Sequence, residues 1–533
     1  MSRHAGKSAV EHEAGSCAGS DMTETGRFSP GRMEVMLIFI LVAGLALAVG
    51  LRGRLADLLV NWDGLAAVAH AYDVFHAQDH ANLAMIGFVQ PPLPALLLLP
   101  LVLIAPVLAT SGIAANVLGA ICAGLSAVIL VGFAADCGLP GKLRWPLVAL
   151  LALHPMVLGP AACGAPMALL TTLLLGAAWG LLRWSRTEAL RDLITSSLVL
   201  SGALITRYEA AFLVAGAVIY LAWCTWRRDR SLSKLEGTLI AFCLPIAYVA
   251  GIWIIANWAI MGDPWHFLRE SFDAQPILSP PEMLAIILHL AIIVFFPVLA
   301  LLYHQMHGAC RYPAAARPVA WMVLTALLAP VIFPAAFVEP GADGYWASFV
   351  TMLAMVIAGG FAMLAAVLAD LLRGTDRRAP VLGTAVILAA SFGVAAWLYS
   401  DGAAAALSPA RTLTGHGPLT ASAVAEIEAA TLLRDTTLPP GRRHLIAGWP
   451  GFAVGLLSGR TGEVAVIRTA ELPAHVDALW VGTRLVLLVA DDPGAVPPAA
   501  IDANLDLQPP LALEEQWTSG PWRCYRVIRE VSQ

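Results

Sequence analysis

Charged residues are scarce in this chain: Asp, Glu, Lys and Arg make up 13% of its 533 residues, whereas hydrophobic residues make up 59%. Soluble globular domains carry about 25% charged residues. The mean hydropathy is +0.74, and many apolar stretches approach the roughly 20 residues that a helix needs to cross a bilayer. The composition excludes a soluble globular chain and predicts a polytopic α-helical membrane protein.

Metal-ligand clusters, internal repeats and nucleic-acid signatures are also missing. The eight cysteines form no CxxC pair and no ligand-like cluster, so neither a disulfide framework nor a zinc site is predicted. No basic or aromatic pattern indicates a nucleic-acid partner. A divalent metal at the helically spaced run His70, Asp73, His76, Asp79 and His80 is the less favoured alternative to a solvated amphipathic face, and we expect no cofactor.

The basic residues are distributed unevenly between the loops. They concentrate in every second loop, while the alternating loops carry only Arg207 and Arg269, with Arg52 and Arg54 just past the first span. Short loops rich in Arg and Lys stay in the cytoplasm, so the alternating loops and any chemistry on them are predicted to lie outside. The basic loops contain Lys142/Arg144, Arg183/Arg186/Arg191, Arg227/Arg228/Arg230/Lys234, Arg311/Arg317 and Arg373/Arg377/Arg378.

About eleven transmembrane helices are predicted, with starts near residues 34, 112, 146, 165, 193, 210, 235, 284, 318, 348 and 380. Residues 91–109 are also apolar, but prolines interrupt them, and a crossing there would place the basic loops outside. We therefore predict a re-entrant or interfacial helix, which is tolerated where the broken backbone packs against protein. The odd number of spans then places the C-terminus outside.

The composition divides the chain into three regions. Residues 1–33 are polar and predict a disordered cytoplasmic tail, and residues 34–400 form the membrane domain, with a first outer loop at 52–93. From residue 401 onward the apolar runs shorten to strand length and one helical stretch covers 421–435. Residues 401–533 are therefore expected to form an extracytoplasmic α/β domain. The predicted strands are HLIAGW (444–449), EVAVIRT (463–469), RLVLLVAD (484–491) and WRCYRVIRE (522–530).

The first outer loop carries a recognisable motif: Asp63 after the first span, Tyr72 on an amphipathic helix, and then Pro91-Pro92-Leu93. This arrangement resembles the first loop of the GT-C superfamily of membrane glycosyltransferases, which includes lipid A aminoarabinose transferases and protein O-mannosyltransferases. The segments 183–213 and 257–268 and the ending WRCYRV are similar to parts of bacterial relatives. The resemblance implies a GT-C type membrane fold and transfer of a sugar.

The chain departs from the family pattern at its second acidic position. Gly64 stands where a paired acid usually follows the first Asp, and the second outer loop, 154–170, has no carboxylate. The resemblance therefore implies the metal-independent branch, which uses a polyprenyl-phosphate monosaccharide donor. The missing carboxylate also leaves open a catalytically inactive GT-C-like scaffold.

Site residues follow from the chemistry of transfer from a phosphate leaving group, which needs one base and cations for the phosphate. Asp63 is the candidate base, with an interfacial helix cap as the alternative. Arg207 is the candidate phosphate ligand, with a structural ion pair to Glu209 as the alternative. Other candidates on the donor side are Tyr208, Glu209, Tyr72, Gln90 and Arg54. Candidates for an acceptor or cavity role are Glu339, Asp343, Tyr345, Trp346, Asp263 and Arg269.

The sequence thus predicts an inverting glycosyltransferase in a bacterial inner membrane, with a cytoplasmic N-terminus and a periplasmic C-terminal domain. Its expected partners are a polyprenyl-phosphate sugar donor, membrane lipids, and a glycan, lipid or protein acceptor in the periplasm. A transporter or flippase for a lipid-linked or polar solute is the alternative from another class. The lack of repeats or paired broken helices and the outer domain count against it.

Overall fold

A computed structural model describes residues 30–57, 61–76, 86–88, 90–268, 317–326, 345–371, 421–435, 444–447, 451–459, 464–467, 484–488, 511–519 and 522–529. The helices are α1 (Arg32–Asp57), α2 (Trp62–His76), α3 (Leu93–Ile104), α4 (Pro106–Thr110), α5 (Ile113–Asp136), α6 (Gly141–Leu153), α7 (Pro155–Ala162), α8 (Pro166–Thr187), α9 (Leu190–Leu204), α10 (Ala211–Asp229), α11 (Leu232–Met261), α12 (Arg317–Ala326), α13 (Tyr345–Leu371), α14 (Ala421–Arg434) and α15 (Gly451–Ser458). The strands are β1 (His444–Ala447), β2 (Val464–Ile467), β3 (Arg484–Leu488), β4 (Leu511–Ser519) and β5 (Trp522–Arg529).

Five helices in the described residues are long and apolar enough to cross a membrane, and they lie in α1, α5, α8, α10 and α11. A sixth crossing is formed if α6 and α7, which meet at a bend of 60°, count as one span. The helical, multi-pass fold class predicted from composition is confirmed. The predicted spans starting near 284 and 380 fall outside the described residues.

The successive spans run in alternating directions, and the basic residues gather at one end of the bundle. There Arg183 lies 4.0 Å from Asp136, Arg228 lies 2.9 Å from Glu188, and Lys234 lies 3.0 Å from Glu188. These contacts join the end of α5, the α8–α9 turn and the α10–α11 turn. The structure therefore brings the residues of the predicted cytoplasmic loops around 136–142, 183–191 and 227–234 into one layer, here called the basic end.

The proline-interrupted segment begins and finishes at the end opposite to the basic end. The backbone N–H of Leu93 donates to the carbonyl of Ile205, just past α9, over 3.0 Å. The helix breaks at Ala105 between α3 and α4, and early in α5 the Asn116 amide donates to the carbonyl of Ala162 at the end of α7. This course confirms the prediction of a broken segment that does not cross the bundle.

The strands of the C-terminal region form one mixed sheet in the order β2-β1-β3-β5-β4. β1 pairs in parallel with β2 and β3, and helix α15 makes the crossover from β1 to β2, as parallel pairing requires. β5 pairs antiparallel with β3 and β4. The four predicted strands and helix α14 are present, whereas β4 and α15 were not predicted.

Helix α15 contacts the first-loop helix α2. Leu456 of α15 is fully buried in the same apolar cluster as Leu65, Val68 and Ala71 of α2. Its neighbour Val454 is fully buried in a second cluster with Leu433 of α14, inside the C-terminal region. Helix α15 therefore packs against both the core of the C-terminal region and helix α2, whose first turn carries the candidate catalytic residue.

Candidate functional site

Helix α2 presents Asp63 in its first turn. The Asn61 side-chain oxygen accepts a hydrogen bond of 2.9 Å from the backbone N–H of Gly64, which makes Asn61 the N-cap. Asp63 therefore follows the cap by two positions, where the positive end of the helix dipole favours a carboxylate. The predicted interfacial cap role belongs to Asn61, and the Asp63 side chain is left for another contact.

Arg207 supplies that contact from a different part of the chain. It precedes the short 3-10 turn Tyr208–Ala210 that joins α9 to α10. Its guanidinium donates a hydrogen bond from Nη2 to Oδ2 of Asp63 across a separation of 144 residues. The neighbouring Glu209 was the alternative partner predicted for Arg207, whereas the structure pairs Arg207 with the candidate base itself.

The pair is partly shielded from solvent, since the side chains are 16% exposed for Arg207 and 32% exposed for Asp63. Burial acts to lower the pKa of Arg207, but the charges of Asp63 and Glu209 outweigh it, so the net shift is upward. The Nε–H of Arg207 is buried and has no hydrogen-bond partner in the described part of the chain. An unpaired buried donor is costly, and a phosphate oxygen is a ligand that would satisfy it.

The position next to Asp63 is closed to any side chain. A Cβ atom on Gly64 would overlap the carbonyl oxygen of Gly164 in the turn between α7 and α8, and would lie 3.5 Å from Ala115 Cβ. Gly164 itself has a left-handed φ of 74° and packs against the backbone of Ala115. The absent second carboxylate is therefore a feature of how α2 packs, because this position cannot hold an acid without moving α2.

An aromatic cluster lies beside Arg207. Tyr208 accepts a hydrogen bond of 3.1 Å from the indole N–H of Trp253 on α11. Phe88 stacks on Trp253 at a centroid distance of 5.3 Å, and Phe267 lies 4.8 Å from Tyr208. All four rings are buried. These rings pack the turn at Arg207 against α11 and against Phe88, which precedes the Pro-Pro-Leu motif. Tyr208 therefore has a packing role.

The remaining donor-side candidates lie on α2, before the Pro-Pro-Leu motif, on α1 and beside Arg207. Tyr72 lies nine residues further along α2, about half a turn around the helix from Asp63, and stacks on His76 at 4.2 Å. Burial, with the nearby charge of Asp73, raises the pKa of Tyr72. Gln90 is half-buried just before the Pro-Pro-Leu motif, and Arg54 lies in the last turns of α1, which is longer than predicted. Glu209 is buried next to Arg207.

The acceptor-side candidates are only partly described. Asp263 accepts a 3.0 Å hydrogen bond from the backbone N–H of Trp265 and so stabilises the turn after α11. Tyr345 and Trp346 begin α13. Glu339, Asp343 and Arg269 lie outside the described residues.

The described residues contain no group of three or more His, Cys, Asp or Glu side chains placed to hold a metal ion. In the alternative metal cluster, the His76 ring nitrogen lies 3.1 Å from the carbonyl of Tyr72. Asp79 and His80 are outside the described ranges, so the structure does not test that cluster.

Sequence reasoning missed Trp253 and Asn257, which lie one helical turn apart on α11. Asn257 is fully buried and its side-chain amide donates to the Trp253 carbonyl over 2.9 Å. Its side-chain oxygen has no partner in the described ranges. An Asn among apolar residues, near the end of α11 opposite to the basic end, was the available signal, because such residues are rare unless they are functional.

No family model and no curated protein matches this chain. Among solved structures, it is similar to ArnT from Cupriavidus metallidurans bound to undecaprenyl phosphate, with 13% identity and a TM-score of 0.49 over 93% of this chain and 98% of that chain. It is also similar to the archaeal oligosaccharyltransferase AglB from Archaeoglobus fulgidus, in complex with an inhibitory peptide and a dolichol-phosphate. That match has 10% identity and a TM-score of 0.44 over 85% of this chain and 69% of AglB. At these values neither likeness decides the activity of this chain.

Proposed function

We propose that this chain is a GT-C type membrane glycosyltransferase that transfers one sugar from a polyprenyl-phosphate donor to an acceptor at the outer face of a bacterial inner membrane. The observation that carries the proposal is the pair formed by Asp63 and Arg207 at the end of the bundle opposite to the basic end. The pair combines a carboxylate, which can accept the proton of the acceptor, with a guanidinium, which can stabilise the leaving phosphate. A bundle of apolar spans around it suits a donor carried by a lipid.

In the proposed reaction, an acceptor hydroxyl attacks the anomeric carbon of the sugar while Asp63 takes the hydroxyl proton. The bond from that carbon to the phosphate oxygen breaks, and the electron pair leaves with the carrier phosphate. Arg207 stabilises the charge that develops on that phosphate through its hydrogen-bond donors. Attack from the face opposite the phosphate inverts the configuration at the anomeric carbon.

Metal independence is supported by the packing around Gly64. A site with two carboxylates would need a second acid close to Asp63, and the carbonyl of Gly164 occupies the space of a side chain at the next position. Arg207 already provides a positive charge at the carboxylate. The proposal therefore assigns to Arg207 the charge stabilisation that a divalent ion supplies in other sugar transferases.

An outer location for the C-terminal region is supported by the contact of Leu456 with α2. The helix that carries Asp63 and the helix between β1 and β2 share one apolar cluster, so both lie on the same side of the bundle. Together with the basic end, which the charge rule assigns to the cytoplasm, this favours a periplasmic C-terminal domain.

The direct test is an assay with purified protein and a labelled polyprenyl-phosphate sugar, with and without candidate acceptors. The enzyme predicts acceptor-dependent release of carrier phosphate, and this release should persist in the presence of EDTA. A transporter or an inactive scaffold would release none. Activity that EDTA removes and a divalent ion restores would contradict the metal-independent part and direct attention to His76 and the residues after it.

A further inference from the structure

Two arginines approach the same indole ring at the basic end of the bundle. The guanidinium carbon of Arg227 lies 5.5 Å from the centroid of Trp223, one turn earlier on α10. The guanidinium carbon of Arg317, the first residue of α12, lies 5.4 Å from the same centroid. These three residues, called here the Trp223 cluster, are far from Asp63, at the opposite end of α10.

Close packing of α10 against α12 holds the cluster together. A Cβ atom on Gly216 would lie 2.6 Å from the carbonyl oxygen of Trp321, so only glycine permits this approach. At the other end of the pair, the Thr325 hydroxyl donates to the carbonyl of Phe212 over 2.6 Å. The two helices are thus antiparallel and tightly packed, and Arg317 is fixed beside Trp223 by the backbones.

In the part of the chain that the structure describes, no carboxylate pairs with the two arginines of the Trp223 cluster. Neighbouring cations on the basic end have carboxylate partners: Arg228 and Lys234 contact Glu188, and Arg183 contacts Asp136. Within the described ranges, neither Arg227 nor Arg317 forms an ion pair. Two guanidinium groups at 5.5 Å and 5.4 Å from the centroid of one indole ring concentrate positive charge at that place, and this charge attracts an anion.

The chemistry of the cluster selects a phosphate in the membrane interface. Planar guanidinium groups bind phosphate oxygens through two parallel hydrogen bonds, and Trp side chains favour the head-group level of a bilayer. Arg227 is exposed and Arg317 and Trp223 are half-buried, so a head group can reach all three. A zwitterionic lipid would bring its own cation toward the two arginines, whereas a lipid with net negative charge would not.

We propose that the Trp223 cluster is a binding site for an anionic phospholipid in the leaflet at the basic end of the bundle. The lipid phosphate contacts Arg227 and Arg317, and its glycerol and upper acyl chains lie along the exposed surface beside Trp223. This site does not depend on the proposed sugar transfer, which takes place at the other end of the bundle.

Native mass spectrometry of the delipidated full-length protein, titrated with phosphatidylglycerol or phosphatidylcholine, tests the site. Wild type should retain phosphatidylglycerol more tightly. A basic residue near the membrane surface strengthens anionic lipid binding by about 1 kcal/mol, so Arg227→Gln and Arg317→Gln should each weaken it about five-fold, and the double variant on the order of twenty-fold. Phosphatidylcholine binding should not change.

The matched control is Arg191→Gln, which removes the same charge at the same end of the bundle. Arg191 is 76% exposed and has a carboxylate neighbour, Asp192, at 3.7 Å, so phosphatidylglycerol binding should stay at the wild-type level. Should the double variant fail to fold, Arg227→Lys replaces it, since this change keeps the charge but loses the second hydrogen bond and should still weaken binding. Equal loss in Arg191→Gln, or no loss in either Trp223-cluster variant, would overturn the proposal.

Discussion

At the scale of single residues, the pairing of Asp63 with Arg207 is the feature on which the functional account depends. The sequence identified both residues separately, Asp63 from its motif and Arg207 as a cation between two apolar runs. Their contact could not be predicted because 144 residues separate them and Glu209 offered a nearer partner. The sequence could not show either that position 64 has no room for a side chain, because the obstacle is the backbone carbonyl of the distant Gly164.

Substitution of Arg207 by Ala should weaken donor binding and transfer together. Loss of a hydrogen bond to a charged group in a partly dry site costs roughly 1.5–3 kcal/mol, which corresponds to about 10- to 150-fold. Donor affinity is measured with a labelled polyprenyl-phosphate sugar. Arg52→Ala is the control, because Arg52 is an exposed arginine near the same end of the bundle and should leave binding intact. Unchanged donor affinity in a folded Arg207→Ala protein would mean that the pair is structural only.

Substitution of Gly64 by Ala should destabilise the protein, although Ala favours helices. Its Cβ would press against the Gly164 carbonyl, and overpacking of this kind costs about 1–3 kcal/mol. Gly44→Ala on α1 is the matched control, since nothing lies within 4 Å of its added Cβ, and there helix propensity alone should raise stability by up to about 1 kcal/mol. Thermal melting in detergent compares the two, and equal melting temperatures would refute the steric closure of this position.

At the scale of elements, the sequence predicted those whose pattern is local. The prolines at residues 92–106 predicted the broken helix, because proline removes a backbone hydrogen-bond donor and disfavours helical conformation at the residue before it. Strand β4 escaped prediction because a register irregularity between Glu515 and Trp517 interrupts its alternation of side chains. Helix α15 is only eight residues long, too short for a helical period to stand out.

Helix α15 should matter to catalysis through its contact with α2. Replacing Leu456 by Ala removes a fully buried side chain from the cluster it shares with Leu65 and Val68, a change that typically costs about 2–5 kcal/mol. Because that cluster supports the helix carrying Asp63, the rate of sugar transfer should fall by a larger factor than the amount of expressed protein. Leu457→Ala is the control, because Leu457 packs against the core of the C-terminal region instead. Similar transfer rates in the two variants at matched folding would argue against this coupling.

At the scale of the whole molecule, charge bias and the non-crossing segment α3–α4 together predict one topology. The basic end is predicted to face the cytoplasm, and Asp63, Arg207 and residues 401–533 are predicted to face outward. Reporter fusions after Asp401 and within residues 371–380 should therefore report opposite sides of the membrane. A cytoplasmic location of the C-terminal region would put Asp63 on the cytoplasmic side as well, because α15 contacts α2, and would reverse the loop assignment.

The central claim is that Asp63 acts as the base in a sugar transfer at the outer end of the bundle. Asp63→Asn keeps the shape and hydrogen-bonding capacity of the side chain but removes its basicity. Transfer from a labelled polyprenyl-phosphate sugar should fall by roughly 10²–10⁴, the usual contribution of a general base, while expression and donor binding stay close to wild type. A transfer rate within a few-fold of wild type in that variant would contradict the account.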